Sequence, residues 1–155
     1  MAVEIERKFL LKNDLWRESI VRSHVMKQGY LASSPLPTVR VRTSDHKAFL
    51  TIKGRTEGIS RVEFEYEIPQ DEALEMLELC AQTPIEKKRH IVEANGHIWE
   101  IDVFEGSNAG LVLAEVELNS EDEKVELPDW IGKEVTSDPR YYNSALSKCP
   151  YSTWE

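Results

Sequence analysis

Three features are scarce in this sequence of 155 residues: cysteine, long apolar runs and basic charge. The two cysteines, Cys80 and Cys149, do not form a CxxC pair, so we expect reduced thiols in a cytoplasmic protein. No apolar run approaches the roughly 20 residues that a membrane-spanning helix needs, so no membrane partner is expected. Acidic side chains outnumber basic ones by 28 to 19, which argues against a protein that binds nucleic acid through a broad basic face.

The N-terminal residues also lack the pattern of a secretion signal. Glu4 and Glu6 stand where such a signal has a basic patch followed by an apolar stretch. The sequence contains no internal repeat, no low-complexity tract and no linker long enough to separate domains. Its length suits one globular unit with a real core, so we expect a single domain over residues 1–155.

The sequence is rich in alternation of apolar and charged residues with a period of two, which is typical of β-strands with two different faces. The clearest example is 61–68, where every second side chain is apolar and those between are charged. Further strands are predicted at 3–10, 38–43, 48–53, 86–94, 97–104 and 111–118. The short turns between them, such as the hairpin signal Asn95-Gly96, make neighbouring strands antiparallel.

Three helices are predicted to interrupt the strands. The first covers 14–26 with Asn13 or Asp14 as its cap, and the second covers 70–82 after Pro69. The third covers 139–147, with Asp138 as its cap and Pro139 at its first position. Residues 120–125 are expected to form a short helical turn. The predicted class is therefore α+β, with a dominant sheet and helices as its cover.

Charged residues on these strands recur as pairs of like sign, two residues apart. The pairs are Glu4/Glu6, Arg40/Arg42, Glu63/Glu65, Lys87/Arg89 and Glu115/Glu117. Residues i and i+2 share one face of a strand, about 7 Å apart, and a solvated face has no reason to repeat such pairs. A sheet of seven or eight strands tends to close on itself. The charged faces therefore either point to solvent on the outside of the barrel or share one inner cavity. Arg61 and Glu67 lie on the same strand face as Glu63 and Glu65.

An inner cavity of this kind would suit a phosphate chain with a metal ion. Carboxylates without histidine or cysteine are the ligands that Mg²⁺ and Mn²⁺ prefer. Arginine offers forked donors that match phosphate oxygens, and lysine adds a point charge. Because the basic residues come from at least four strands, the site would reach several phosphates. The residues thus predict a metal-dependent site for a small polyphosphate.

The segment Glu4-Ile5-Glu6-Arg7-Lys8 resembles the ExExK signature of the CYTH superfamily, the triphosphate tunnel metalloenzymes. Other charged residues follow in that family's order: Arg40, Arg42, Lys53, Glu63, Glu65, Lys87, Arg89, Asp102, Glu115 and Glu117. The C-terminal residues from Glu134 to Leu146 are similar to those of small bacterial members, so the resemblance spans the chain. It implies a closed antiparallel eight-stranded β-barrel, a tunnel with a charged interior and helices packed outside.

The resemblance also implies roles for individual residues in the hydrolysis of a triphosphate with Mg²⁺ or Mn²⁺. The implied metal ligands are Glu4, Glu6, Glu115 and Glu117, with Asp102 assisting. The implied phosphate clamp consists of Lys8, Arg40, Arg42, Lys53, Lys87 and Arg89. Glu63 and Glu65 are placed near a second metal and the attacking water, and Lys8 is the other candidate for the general base. The helix near Tyr141–Leu146 is expected to plug one mouth.

Three functions remain open at this stage, with a small-molecule triphosphate as the partner. The leading one is an inorganic triphosphatase that converts tripolyphosphate to pyrophosphate and phosphate. A nucleoside or thiamine triphosphatase, or an adenylate cyclase, would need an apolar or aromatic surface that binds the organic group. Tyr30, Trp16 and Trp130 are candidates for it, but a role in packing suits them better. A non-catalytic polyphosphate-binding module would need few acids. The sequence leaves a homodimer open.

Overall fold

The computed structural model describes residues 3–33 and 36–154, so the ends of the expected domain 1–155 lie outside the described residues. The strands are β1 Val3–Leu11, β2 Ile20–Ala32, β3 Thr38–Ser44, β4 Lys47–Glu57, β5 Ser60–Ile68, β6 Ile85–Ala94, β7 His97–Phe104, β8 Val112–Glu117 and β9 Ile131–Glu134. The α-helices are α1 Gln70–Glu78 and α2 Asn143–Lys148. Short 3₁₀ turns cover Leu15–Ser19, Gly106–Asn108, Pro139–Tyr141 and Tyr151–Thr153.

The sheet closes into the predicted antiparallel barrel. Its strands follow the order β5-β4-β3-β2-β6-β7-β8-β1, and β1 then pairs with β5 to close the ring. The closing seam is short, with Val3 opposite Val62, Glu4 opposite Arg61 and Ile5 opposite Ser60. The strand β9 adds to the outer end of β1 as an extra element. The fold class is confirmed: eight strands form the barrel and a ninth extends it.

Alternation along the strands separates a charged inner wall from an apolar outer one. Residues directly opposite each other on neighbouring strands share a face, and the inner wall pairs Glu6 with Glu117 and Lys8 with Glu115. The outer wall carries the largest hydrophobic cluster, which loops outside the barrel cover. This cluster comprises Phe9, Trp16, Val92, Trp99, Ile101, Ala114, Val116, Leu118, Trp130 and Ile131. The largest hydrophobic cluster therefore lies between the barrel wall and its covering segments, which leaves part of the bore free for polar groups.

The bore changes character along its length. Near Glu4 it is polar, whereas beyond Lys8 it is filled by apolar side chains from inward positions, including Tyr30, Phe104 and Leu113. Val135, Tyr141 and Leu146 from the C-terminal segment pack on these side chains and are likewise buried. The C-terminal segment thus plugs one end, which agrees with the expectation for Tyr141–Leu146, and the barrel has one open mouth.

The prediction of a helix over 14–26 is wrong. A 3₁₀ turn covers Leu15–Ser19, and the chain then continues as the long strand β2. This strand pairs with β3 along one edge and with β6 along the other. A helix in its place would leave the backbone groups of both neighbours without partners and the barrel open, so tertiary pairing overrides the local pattern. The helix expected at 70–82 is confirmed in shorter form as α1, which buries Ala73 and Leu77 against the barrel.

The C-terminal and acidic segments also differ from expectation. The helix expected at 139–147 is divided into a 3₁₀ turn and α2, although Asp138 does cap the first piece by accepting a hydrogen bond from the Arg140 amide at 3.1 Å. Residues 120–125 contain turns and no helix. Over residues 3–33 and 36–154, no helix is long and apolar enough to cross a membrane.

Candidate active site

The polar part of the bore is a cavity of about 260 Å³. Every predicted site residue lines it except Asp102, which is buried beneath its wall. Thr56, Ile59 and Arg61 stand at the open mouth, whereas Asn143 from α2 stands at the plugged end. The structure therefore brings together residues from strands spread along the whole chain, as the parity of the charged pairs predicts.

The basic side of the cavity rests on Asp102. One of its carboxylate oxygens accepts a hydrogen bond from Arg89 Nε at 2.8 Å, and the other accepts one from Lys87 Nζ at 2.7 Å. Burial alone would raise the pKa of Asp102, but Arg89 and Lys87 outweigh it and hold that pKa well below its ordinary value. Both oxygens are thus engaged by the bases that Asp102 holds in place. Its implied contact with a metal ion stays a prediction.

Two bases of this cluster, Lys87 and Arg42, are crowded by other cations. Burial lowers the pKa of Lys87 to about 7; Asp102 opposes the shift, while Arg89 and Arg42 add to it. Burial together with the charges of Arg40 and Arg89 lowers the pKa of Arg42 to about 9. Because crowded buried cations repel one another, an anion in the cavity would restore their favoured charged forms. The electrostatics at Lys87 and Arg42 therefore favour a bound anion.

Arg40 holds an unused donor inside the cavity wall. Its Nη2 lies 3.2 Å from Thr51 Oγ1 and 3.6 Å from Glu65 Oε2. Its Nε is buried and has no hydrogen-bond partner among the described residues. A buried donor without an acceptor costs about 1–3 kcal/mol, and an oxygen of a bound phosphate would remove that cost. This orphaned atom fits the predicted role of Arg40 as a phosphate clamp.

On the acidic side of the cavity, carboxylates crowd one another. Burial and the neighbouring Glu63 carboxyl raise the pKa of Glu4 to about 7. Burial, with the charges of Glu115 and Glu4, raises the pKa of Glu6 well above its ordinary value. Burial and Glu4 also raise the pKa of Glu117, which faces Glu6 directly across β1 and β8. These carboxylates repel one another when ionised, so a cation between them would be strongly favoured.

A hard divalent cation fits this donor set by its chemistry. One oxygen of Glu63, Oε2, is buried and receives no hydrogen bond among the described residues. Carboxylate oxygens of this kind are the preferred ligands of Mg²⁺ and Mn²⁺. In the part of the chain that the structure describes, no three acidic, histidine or cysteine side chains are already arranged around one metal position. Instead, Lys53 Nζ lies 3.1 Å from Glu4 Oε1, and Lys8 Nζ lies 3.5 Å from Glu115 Oε1.

A polar chain that the sequence pattern does not predict links the plug to the bases. Gln28 Oε1 accepts a hydrogen bond from Arg42 Nε at 2.7 Å, while Gln28 Nε2 donates to Asn143 Oδ1 at 2.9 Å. The same Asn143 oxygen accepts a bond from Lys87 Nζ at 2.9 Å. The alternation of Gln28 and Tyr30 was the signal that could have revealed the inward face of β2. The role of Asn143 carries no such local signal.

The candidate docks for an organic group do not stand at the mouth. Trp16 is fully buried and Trp130 nearly so, and both belong to the cluster outside the barrel wall. Tyr30 lines the cavity but packs into the apolar plug at its closed end. The interpretation of these three residues as packing groups therefore agrees with their positions.

Comparison with known proteins places the chain among sequence and structural relatives. The family model described as "CYTH domain" matches residues 2–151. An inorganic triphosphatase from Acetivibrio thermocellus is 47% identical over 156 residues, which cover 100% of this chain and 99% of that protein. An inorganic triphosphatase from Nitrosomonas europaea is 35% identical over 149 residues, which cover 93% of this chain and 96% of that protein.

A solved structure described as an inorganic triphosphatase has the same architecture. It superposes with a TM-score of 0.70 at 32% sequence identity and covers 95% of this chain and 95% of that chain. The family match spans nearly the whole sequence, and the two sequence relatives are similar over almost their full length. This chain therefore belongs to the CYTH domain family.

Proposed function

We propose that this protein is an inorganic triphosphatase, a hydrolase that converts tripolyphosphate to pyrophosphate and phosphate. One observation carries the proposal: a single cavity sets buried arginine and lysine side chains, of which Lys87 and Arg42 are crowded by other cations, opposite crowded carboxylates. A phosphate chain with a divalent cation would relieve both sets at once. Two relatives that match 93% or more of this chain are inorganic triphosphatases.

The basic residues bind and orient the phosphate chain in this proposal. The clamp comprises Lys8, Arg40, Arg42, Lys53, Lys87 and Arg89. Arg40 offers its free Nε donor, and Asp102 fixes the directions of Lys87 and Arg89 through its two oxygens. Phosphoryl transfer asks a protein mainly for position and charge, and these rigid buried donors supply both.

The acidic residues hold Mg²⁺ or Mn²⁺ in this proposal. The holding set is Glu4, Glu6, Glu115 and Glu117, with Asp102 in a supporting position. When bound, the ion neutralises phosphate charge and lowers the pKa of a coordinated water. The carboxylates contribute through their number and burial, because Glu6 and Glu117 face each other without a basic residue between them in the strand register.

Glu63 is the better candidate than Lys8 for the group that orients the attacking water. Burial opposes the charge of Lys8, but the carboxylates of Glu115 and Glu6 outweigh it and raise its pKa, so Lys8 stays protonated. Burial would raise the pKa of Glu63, but its interactions with Glu4 and Lys53 outweigh it and lower that pKa. An ionised carboxylate can accept a proton from water, whereas a protonated amine cannot. Glu65, bonded to Thr51 Oγ1 at 2.9 Å, completes this wall.

The shape of the cavity favours an inorganic chain over a nucleotide. A nucleotide base or thiazole ring would project from the open mouth, where Thr56, Ile59 and Arg61 offer no aromatic surface. Among the described residues that line the cavity, the aromatic ones are Tyr30 and Tyr142, at the closed end. Stacking against an aromatic face is the common way to hold a base, so its absence from this mouth leaves the phosphates as the recognised part.

The proposed setting is the cytoplasm. Both cysteines, Cys80 and Cys149, are free thiols in the structure. Free thiols persist in reducing compartments, where glutathione and thioredoxin prevent disulfide formation.

A substrate panel tests the function. Phosphate release is measured for tripolyphosphate, ATP, thiamine triphosphate and pyrophosphate, each with Mg²⁺ and with Mn²⁺. We expect the highest kcat/KM for tripolyphosphate and no turnover of pyrophosphate, which lacks a third phosphate to fill the clamp. A higher kcat/KM for ATP or thiamine triphosphate would overturn the substrate assignment. Tight binding of tripolyphosphate without phosphate release from any compound would identify a binding module instead.

Binding of the cation is expected to depend steeply on pH. The pKa of Glu4, raised to about 7, means that the metal-free protein carries a proton there below about pH 7, which the cation must displace. We therefore expect the apparent Mg²⁺ affinity to fall about tenfold for each pH unit below 7. Titration calorimetry at pH 6 and pH 8, in buffers of different ionisation enthalpy, measures the affinity and the released proton together. Equal affinities at the two pH values would contradict the expectation.

A further inference from the structure

Arg61 is an inward-facing charged residue of β5 that the proposed function leaves without a role. It lines the cavity at the open mouth and is half-buried. Its Nε donates a hydrogen bond to the carbonyl oxygen of Gly54 at 2.8 Å, and its Nη2 donates to Thr38 Oγ1 at 3.3 Å. One guanidinium from β5 therefore ties down both β4 and β3.

The Gly54 carbonyl, which accepts the hydrogen bond from Arg61, lies at an irregularity in β4. The pairing of β4 with β5 runs regularly as far as Lys53 opposite Glu63 and resumes with Thr56 opposite Arg61. Two residues of β4, Gly54 and Arg55, thus stand against one residue of β5, which is the arrangement of a β-bulge. A bulge disrupts the ladder and leaves backbone groups unpaired, so the Arg61 fork replaces a lost partner.

Lys53 comes directly before this bulge and depends on it for its direction. Its Nζ lies 3.1 Å from Glu4 Oε1 and 3.5 Å from Glu63 Oε2, between the two acidic strands. A lysine side chain has a flexible four-carbon stem, so its ammonium is held by two things together: the carboxylates that it contacts and the direction in which the backbone starts the side chain. A bulge held in another conformation would start the Lys53 side chain in a different direction and draw its ammonium away from a phosphate chain.

We propose that Arg61 is a positioning residue: its guanidinium fork fixes the β4 bulge at Gly54 and so directs Lys53 at the bound polyphosphate. The inference rests on the proposed function only in that Lys53 contacts a phosphate chain. Its content is separate, since it assigns the task to geometry and not to the positive charge of Arg61. A lysine at this position would keep the charge but lose the planar fork that reaches two acceptors.

A double-mutant cycle on binding tests this assignment. The variants are Arg61→Lys, Lys53→Met and the two combined, and tripolyphosphate affinity is measured by calorimetry with a chelator present, so that no turnover occurs. We expect Arg61→Lys to weaken binding about tenfold in the otherwise intact chain, as for a lost charge-assisted contact. In the Lys53→Met background, the same change is expected to alter affinity less than about twofold, because the residue it positions is gone.

The alternatives give different results in this cycle. Equal effects of Arg61→Lys in both backgrounds would show that Arg61 acts independently of Lys53 and would overturn the proposal, as would an unchanged affinity in the intact chain. Thr38→Val provides a second variant if Arg61→Lys fails to fold, since it removes one acceptor and leaves Arg61 in place. It is expected to weaken binding in the intact chain and to have no effect beside Lys53→Met; additive effects would again overturn the proposal.

The same measurements separate this inference from the proposed function. A wild-type protein that binds tripolyphosphate but releases no phosphate when Mg²⁺ is supplied overturns the hydrolase assignment, while the affinity cycle still decides the role of Arg61. A wild-type protein that does not bind tripolyphosphate overturns both.

Discussion

Replacing Glu6 by glutamine is expected to reduce tripolyphosphate hydrolysis about a thousandfold, which corresponds to about 4 kcal/mol of lost transition-state stabilisation. The change keeps the shape of the side chain but removes one carboxylate from the pair that Glu6 forms with Glu117 across β1 and β8. The thermal stability of the metal-free protein, in contrast, is not expected to fall. Burial and the charges of Glu115 and Glu4 disfavour an ionised Glu6, so a neutral amide relieves repulsion and the thermal midpoint should hold or rise.

Activity and stability are therefore expected to move apart in this variant, which distinguishes a lost cation ligand from a damaged fold. The measurements are kcat for phosphate release with Mg²⁺ and the thermal midpoint with a chelator present. Glu86→Gln is a matched control. It makes the same chemical change on the exposed outer wall of β6, so it should alter neither kcat nor the thermal midpoint. Wild-type turnover by both Glu6→Gln and Glu4→Gln would refute the assignment of the carboxylates to the cation.

Replacing Arg40 by alanine is expected to weaken tripolyphosphate binding by about 2–3 kcal/mol, or roughly 30- to 150-fold in Kd. The guanidinium is buried in the cavity wall and holds an Nε donor that has no partner among the described residues. The contacts of its Nη2 with Thr51 and Glu65 are long, so they hold the guanidinium only weakly against a ligand. Arg40→Lys keeps the charge but loses the fork, so we expect an intermediate affinity.

Arg7→Ala provides the control for this second prediction. Arg7 is one position from Lys8 along β1, but it points to the outer wall and forms a two-pronged ion pair with Glu134 at 2.8 and 3.0 Å. Its removal should leave the affinity for tripolyphosphate unchanged in calorimetry. A loss as large as that of Arg40→Ala would show that binding depends on the barrel wall in general rather than on groups facing the cavity.

Alternation predicted the barrel wherever the two faces of a strand meet different surroundings. On β8, for example, Glu115 faces the bore while Ala114 and Val116 pack in the outer core, so the pattern is sharp. The strand β2 lacks this contrast, because its inner face carries Gln28 and Tyr30 while its outer face leaves Val25 exposed. Polar and apolar residues therefore occur on both faces, and the pattern over 14–26 predicts a helix instead. The strand β9 is only four residues long and joins β1 where the pairing is irregular.

The candidate site followed from parity, whereas its supports did not. The charged pairs share a face because i and i+2 positions do so in any β-strand, whichever strands lie beside it. The bond between Gln28 and Asn143 joins residues that are 115 positions apart, and only the folded plug brings them together. Asp102 was found by resemblance, but its engagement with both Lys87 and Arg89 depends on the register of β6 and β7.

The plug formed around Tyr141 and Leu146 has a kinetic consequence. Because one end of the bore is sealed, the substrate enters and both products leave through the same opening, and the two products must leave one after the other. The fragment lodged deeper can depart only after the outer fragment has cleared the way, which imposes a fixed order of release. That deeper fragment should compete with incoming substrate for the vacated enzyme, whereas the outer one should not.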